Sequence, residues 1–457
     1  MRRRILCALG ASIALACHPG EGKLAFVGGN VWDGSGTPPI LDAVIIVAGD
    51  SIEAIGPPDA VKVPRGAELR RLDGKWIIPG LIDAHAHTEQ WMLGRLLANG
   101  VTAVRDAGGW QDSIVALRDA IALGSILGPR LFIAGAVIDG IPPSLPSAQG
   151  VRTPVQARRA IDNRRGEIDA SHAMISTKIT RPILQALVDE AKVLRLPVGA
   201  HLGRVDAVTA ARDGISVIEH LSGIVEASVP DPAPYFRAHR NFDAGWKAFL
   251  HGWNRLDSAR IDRTARTLAD IGVAVVPTLF NQTTFAHLND QAFIDSLDLG
   301  GVPDSIRQAW AIPALIRRAA LRRSDFSAFR RSLDRQRLFV RRFHAARGLI
   351  AAGSNTPFPL LAPGRSLHRE IAALVQAGLS TREALQSATR NAAALLDAPE
   401  LGTLHAGGAA DFLVLNGNPL ENIGNLDGID LVIFRGIVYA PEDFLTPRPS
   451  PQPPDAP

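Results

Sequence analysis

Two histidines one residue apart, His85 and His87 in Asp83-Ala84-His85-Ala86-His87, close the apolar run that begins at Trp76. Side chains of a strand repeat every second residue, so both imidazoles face the same way. Two imidazoles on one side can share a metal ion at about 2.0–2.1 Å. Other short apolar runs end in the same kind of chemistry. Lys178 lies within Met174-Ile175-Ser176-Thr177-Lys178-Ile179-Thr180, and His201 follows Pro197-Val198-Gly199-Ala200. Glu219-His220 follows Val217-Ile218, and Ser354-Asn355 follows Leu349-Ile350-Ala351-Ala352-Gly353. One histidine at a strand end is commonly structural. Four of the chain's 12 histidines at the ends of three strands predict a metal site.

The elements that must bring these residues together are short apolar runs alternating with helical stretches, the signal of βα units and a parallel sheet. Eight such runs start at Trp76, Val101, Leu131, Met174, Pro197, Val217, Val273 and Leu349. Eight runs across residues 77–356 suit a (β/α)8 barrel of about 250 residues, whereas a doubly wound open sheet needs five or six. In a barrel, all strand ends meet at one face, where the active site sits. Residues 17–75 and 401–445 read instead as short strands with turns such as Asp33-Gly34-Ser35-Gly36 and Asn416-Gly417-Asn418-Pro419. Each segment alone is too small to bury both faces of a sheet. The expected architecture is α/β: a TIM-like barrel over 76–400 and a small composite β-sandwich built from both chain ends.

The sequence resembles the amidohydrolase superfamily, and within it the imidazolonepropionase-like branch that includes Xaa-Pro dipeptidase-type and ochratoxinase-type enzymes. The resemblance spans roughly residues 24–440. It is carried by Pro79-Gly80-Leu81-Ile82-Asp83-Ala84-His85-Ala86-His87, Gly100-Val101-Thr102-Ala103-Val104-Arg105-Asp106, Ile218-Glu219-His220 and Ala410-Asp411-Phe412-Leu413-Val414-Leu415. It implies two divalent metal ions, zinc by preference. His85 and His87 would hold one, His201 and His220 the other, and a carbamate on Lys178 would bridge them. The two metals would acidify a water, polarise the scissile carbonyl and hold the leaving group.

One position departs from the family. An Asp after the eighth strand normally touches a metal and takes the proton from the attacking water, whereas this chain has Asn355. An amide oxygen can still ligate a metal, but it cannot accept a proton at neutral pH. A general base contributes about 10²–10⁴-fold, so hydrolysis is expected to be slow unless Glu219 or Ser354 substitutes.

Charge narrows the partners. Residues 1–16 combine Met1-Arg2-Arg3-Arg4, an apolar run of about 12 residues and a small-residue end, the layout of a secretory signal peptide. Its removal takes 49 basic residues to 46, against 45 acidic, which withdraws support from nucleic-acid binding. Cys17 then remains as the only cysteine, directly after Ala14-Leu15-Ala16. That layout resembles a bacterial lipoprotein box, the alternative being plain cleavage with a leftover thiol. Export to the periplasm, or anchoring there through lipid on Cys17, is the expectation. Residues 446–457 contain six Pro and read as a disordered tail.

The remaining features read as structural. Arg317 to Arg347 holds 11 Arg among apolar residues at helical spacing, an amphipathic helix pair with a solvated face. His172, His344 and His368 lie off the strand ends, and Trp91 is as compatible with core packing as with a pocket. The leading reading is an exported metal-dependent hydrolase of an amide, dipeptide, lactam or lactone. The alternatives are a non-catalytic metal- or ligand-binding barrel and a deaminase. Lys178 argues against the deaminase, because deaminases usually run on one metal without a bridging lysine.

Overall fold

The computed structural model describes residues 22–445. The signal segment, Cys7, Cys17 and the Pro-rich tail lie outside the described residues. Two β-systems are present. The first is an eight-stranded sheet that joins Lys23–Val31, Ile40–Ala48, Ser51–Gly56, Glu68–Arg71 and Trp76–Pro79 to Phe412–Leu415, Ile429–Phe434 and Ile437–Tyr439. The two chain ends meet where Phe412–Leu415 pairs antiparallel with Trp76–Pro79, Val414 against Ile77. Apolar clusters cover both faces, one around Phe26, Ile45 and Phe412 and the other around Ala25, Val44 and Ile46. Trp76–Pro79, expected to open the barrel, belongs to this sheet instead. The apolar run is broken at Gly80, where a Cβ would meet Thr102 Oγ1 at 2.2 Å, and the barrel begins at Leu81.

The barrel strands are Leu81–Ala86, Val101–Asp106, Arg130–Ile133, Ala173–Ile175, Val198–Ala200, Val217–Glu219 and Ala274–Val276, all pairing in parallel in two sheets. The eighth run is a bridge rather than a full strand. Ile350 pairs parallel with Val275, while Ala84 N donates to Ala352 O at 2.9 Å and Asn355 N to His85 O at 2.7 Å. These bonds close the ring between the last run and the first strand. Gly353 allows the approach, since a Cβ there would lie 2.7 Å from His85 Cβ. On the open side of the ring, Ser171 N donates to Ile133 O and Ser176 N to Ile138 O.

The expected helices surround this ring. Arg181–Val193 carries Pro in its first turn and buries Ile183, Leu184, Leu187 and Val188, which places its apolar stripe on the sheet. Arg323–Ala345 is a 23-residue amphipathic helix that buries Phe326, Phe329, Leu333, Phe339 and Phe343. Most of its arginines remain in solvent, as the spacing predicts. Among the described residues, no helix is long and apolar enough to cross a membrane.

Candidate metal and substrate site

Five of the six expected ligands stand in one cluster, four histidines at strand ends and Asn355 from the eighth run. The ring centroids of His85 and His87 are 5.4 Å apart, those of His85 and His220 4.5 Å, and those of His201 and His220 4.8 Å. Asn355 joins them from the eighth run through its backbone bond to His85. Three of the imidazoles are fixed through Nδ1. His85 Nδ1 lies 2.8 Å from Glu219 Oε2, His87 Nδ1 2.6 Å from Gly108 O, and His220 Nδ1 2.8 Å from Thr278 Oγ1. A carbonyl only accepts, so His87 carries its proton on Nδ1 and leaves Nε2 free as a ligand atom.

Beneath the histidines sits a polar floor. Arg105 Nη1 donates to Glu219 Oε1 at 2.8 Å, so Glu219 is shared between Arg105 and His85, and all three are buried. Gly199 makes room for this group, because a Cβ there would lie 2.5 Å from an Arg105 nitrogen and 2.9 Å from Glu219 Oε1. Asp83 accepts from Ser354 N and Oγ and from His85 N, yet burial pushes its carboxyl up to about 6. Burial, with the neighbouring imidazoles adding to it, holds His85 and His220 well below the usual imidazole range and His201 down to about 3. All three are therefore neutral at pH 7, the state in which imidazole ligates a metal.

The backbone is unusual at the same place. His220, Thr278 and Asn355 have φ of 58°, 48° and 61°, in the left-handed region. Non-glycine residues there cost on the order of 1–3 kcal/mol each and persist where surrounding structure over-determines them.

Lys178 is a correction. The fourth strand ends at Ile175, three residues before it, so Lys178 stands in the following loop rather than on the inward face. Its N–H donates to Asp139 Oδ1 at 2.9 Å, and its ammonium donates to Pro142 O at 2.6 Å, away from the histidines. The residue level with His201 is Ser176, one step beyond the paired Ile175 and Ala200, and it lines the same cavity. Asp139, whose carboxylate also accepts from Gly140 N and Ser144 N, organises the loop that carries the lysine outward. The two substitutes considered for a base are also engaged: Glu219 by Arg105 and His85, and Ser354 by Asp83.

These residues bear on the metal ions that the resemblance implies. Three buried polar atoms without a partner, His85 Nε2, His201 Nε2 and Asn355 Oδ1, mark a place for a cation. As the side chains stand, no three His, Cys, Asp or Glu among the described residues are arranged to hold one. The donor set is neutral imidazole and amide, which suits one divalent ion such as zinc. It does not suit two. At about 4 Å and an effective dielectric of 20, two divalent ions repel by roughly 17 kcal/mol, and neither a carbamate on Lys178, which turns outward, nor a carboxylate at 355 stands between them to offset it.

The histidines form the floor of a cavity of about 1140 Å³. Residues that the sequence did not single out make its walls. Trp246 lies 5.6 Å from His201 and 6.3 Å from His220, Phe242 lies 5.8 Å from His201, and Phe358 lies 5.4 Å from His87, centroid to centroid. No spacing signal marked them, because they come from helices and loops between strands. His172 is buried with Nδ1 beside Ser171, His344 pairs with Glu383, and His368 binds Asn99 O and Asp427. Trp91 packs against the main core.

Solved structures share this architecture. A prolidase-like protein from Bifidobacterium longum aligns with a TM-score of 0.68 and 24% identity over 93% of this chain and 99% of its own. Bottromycin amidohydrolase aligns at 0.70 and 23%, over 93% and 89%. The ochratoxinase of A. niger aligns at 0.66 and 17%, over 92% and 96%. At these identities, the likeness establishes the fold. An uncharacterized protein of Mycobacterium tuberculosis is 25% identical over 401 residues, 81% of this chain and 86% of that protein. The match that decides the matter runs over residues 76–438, from the last strand of the composite sheet through the barrel and back into that sheet, and by it the chain belongs to the Amidohydrolase family, hydrolases of carbon–nitrogen bonds.

Proposed function

We propose that this chain hydrolyses an amide bond of a small molecule at the four-histidine cluster, with one divalent cation and after export from the cytoplasm. The observation that carries the reading is the convergence of Nδ1-anchored imidazoles at the floor of a large cavity. A cation held there by the imidazoles and Asn355 would supply an acidified water and would polarise the scissile carbonyl. The protein's own residues do the rest. Glu219 keeps the proton of His85 on Nδ1, Gly108 O does the same for His87, and both rings thereby offer Nε2. Asn355 Oδ1 can accept a hydrogen bond from the attacking water and orient it, but the proton leaves to solvent. Turnover is therefore slow and rises with pH until the water is ionised.

The structural neighbours supply an independent support, since those named as prolidase and amidohydrolase share the barrel and the composite sheet. A non-catalytic ligand-binding barrel is favoured by one observation, that among the described residues lining the cavity there is no lysine to carry a carbamate and Asn355 stands where the family pattern has Asp. The deaminase reading loses the argument that Lys178 made against it, and the one-metal donor set is as compatible with it as with amide hydrolysis. Metal analysis of purified protein together with hydrolysis of amide, dipeptide, lactam and lactone substrates tests the proposal. Stoichiometric metal with measurable hydrolysis is expected; metal-loaded protein inert on every class would leave the binding barrel. Export is supported by residues 1–17 alone, and Cys17→Ser should release the protein from membranes into a soluble exported fraction.

A further inference from the structure

The cavity walls say what kind of molecule they exclude. Prolidase-type substrates carry a free carboxylate next to the scissile bond, and a buried carboxylate requires a cation or several N–H donors. Among the described residues lining the cavity, Arg318 is the only Lys or Arg. It is not free: its Nε donates to Asp243 Oδ2 at 2.7 Å and its Nη2 to Asp243 Oδ1 at 3.4 Å, a two-point pairing that neutralises both. The remaining carboxylate of the lining, Glu89, accepts from Trp91 Nε1 at 2.9 Å and adds negative charge at the mouth. The wall therefore offers no unpaired cation to a carboxylate.

What it offers instead is apolar on both sides of the reacting centre. Phe358 packs on His87, while Phe242 and Trp246 pack on His201, at opposite ends of the imidazole row. The apolar lining also includes Leu288, Leu315, Ile114 and Leu117. Trp110, 63% exposed, extends the aromatic lining to the rim. A wide apolar surface left open in a monomer marks a binding site, and aromatic rings favour aromatic partners by about 0.5–1.5 kcal/mol per pair beyond the area buried. The volume exceeds the 300–1,000 Å³ of common ligand pockets, so the ligand is bulky rather than a single amino-acid derivative.

We infer that the ligand of this site is an uncharged amide bearing bulky apolar, preferentially aromatic, groups on both sides of the scissile bond, and not a free dipeptide. This rests on the proposed amide-hydrolase reading, but its test does not require turnover.

The experiment measures equilibrium binding to the intact protein by calorimetry with and without zinc, and the contribution of the wall is read from the zinc-free titration, where no cation at the histidines can draw a carboxylate. The probes are a matched pair, benzoyl-phenylalanyl-phenylalaninamide and the same molecule with a free C-terminal carboxylate. The neutral amide should bind at least tenfold tighter, and Trp246→Ala should weaken it at least tenfold. Asp243→Asn releases Arg318 without adding bulk. It should tighten binding of the carboxylate probe about tenfold and leave the neutral probe within twofold. Equal or tighter binding of the carboxylate by the zinc-free native protein would overturn the inference, as would neutral-probe binding insensitive to Trp246→Ala in a variant of native circular dichroism. Selective binding of the neutral probe without cleavage by the zinc-loaded protein would instead count against hydrolysis and leave the ligand class standing.

Discussion

Replacing Asn355 by Asp tests the account of the site at two levels. Asn355 is 5% exposed, and its Oδ1 has no hydrogen-bond donor. A carboxylate placed there without a cation is desolvated among neutral imidazoles. Asp83 gives the scale. It lies in the same barrel, holds three hydrogen bonds, and is still raised from 3.8 to about 6. That shift of about 2 units corresponds to about 3 kcal/mol at 1.36 kcal/mol per unit. An Asp at 355, with fewer donors, loses at least as much in the metal-free protein. The sign follows from a folded pKa raised above the unfolded one in an acid. The loss is absent below about pH 4 and complete above the raised folded value. Metal-free Asn355→Asp should therefore melt with the native protein near pH 4 and several degrees below it at pH 8. Zinc should remove that gap, because a cation returns the charge compensation that burial took away. In the zinc-loaded variant, the carboxylate can take the proton of the attacking water, and turnover should rise by about 10²–10⁴-fold, the usual contribution of a general base. The assays are thermal melts at the two pH values with and without zinc, and kcat on any amide that the native protein cleaves. Equal melting at pH 8 without zinc would refute the burial argument. A fully metallated variant with no gain in kcat would refute the missing-base account.

Three further outcomes follow from neighbouring residues. Native protein should bind about one zinc per chain by elemental analysis, Lys178→Ala should leave that content unchanged, and the double variant Ser176→Lys with Asn355→Asp should raise it toward two, since Ser176 rather than Lys178 stands level with His201. Arg105→Met should destabilise the fold by about 3–5 kcal/mol in denaturant titrations, because it leaves the fully buried Glu219 without its cation. Glu370 is buried, and burial raises its carboxyl from 4.5 to about 8. Its unfolded form releases the proton first, so stability falls as pH rises from about 4.5 to 8, and Glu370→Gln should flatten that decline in melts across the range.

The sequence by itself carried the architecture and most of the cluster. Eight apolar runs at βα spacing call for a barrel, and in a barrel His85, His87, His201, His220 and Asn355 must converge however far apart they lie in the chain. The strand period also put His85 and His87 on one face without any knowledge of their neighbours. It could not say where each strand ends, and that decided Lys178. Three residues beyond Ile175, the chain has left the ladder, Asp139 holds its backbone, and the lysine turns outward while Ser176 takes the inward place. The same limit moved Trp76–Pro79 from the barrel to the composite sheet, because its partner, Phe412–Leu415, lies more than 300 residues away and no local pattern registers such a pairing. The aromatic walls and the Arg318–Asp243 pair were equally invisible, since a Trp or Phe on a helix reads as core until tertiary packing leaves one of its faces on a cavity. Strand periodicity is a local property of the backbone and survives in one dimension; the end of a ladder, the partner of a strand and the free face of a side chain are set by contacts between distant segments, and only the folded chain decides them.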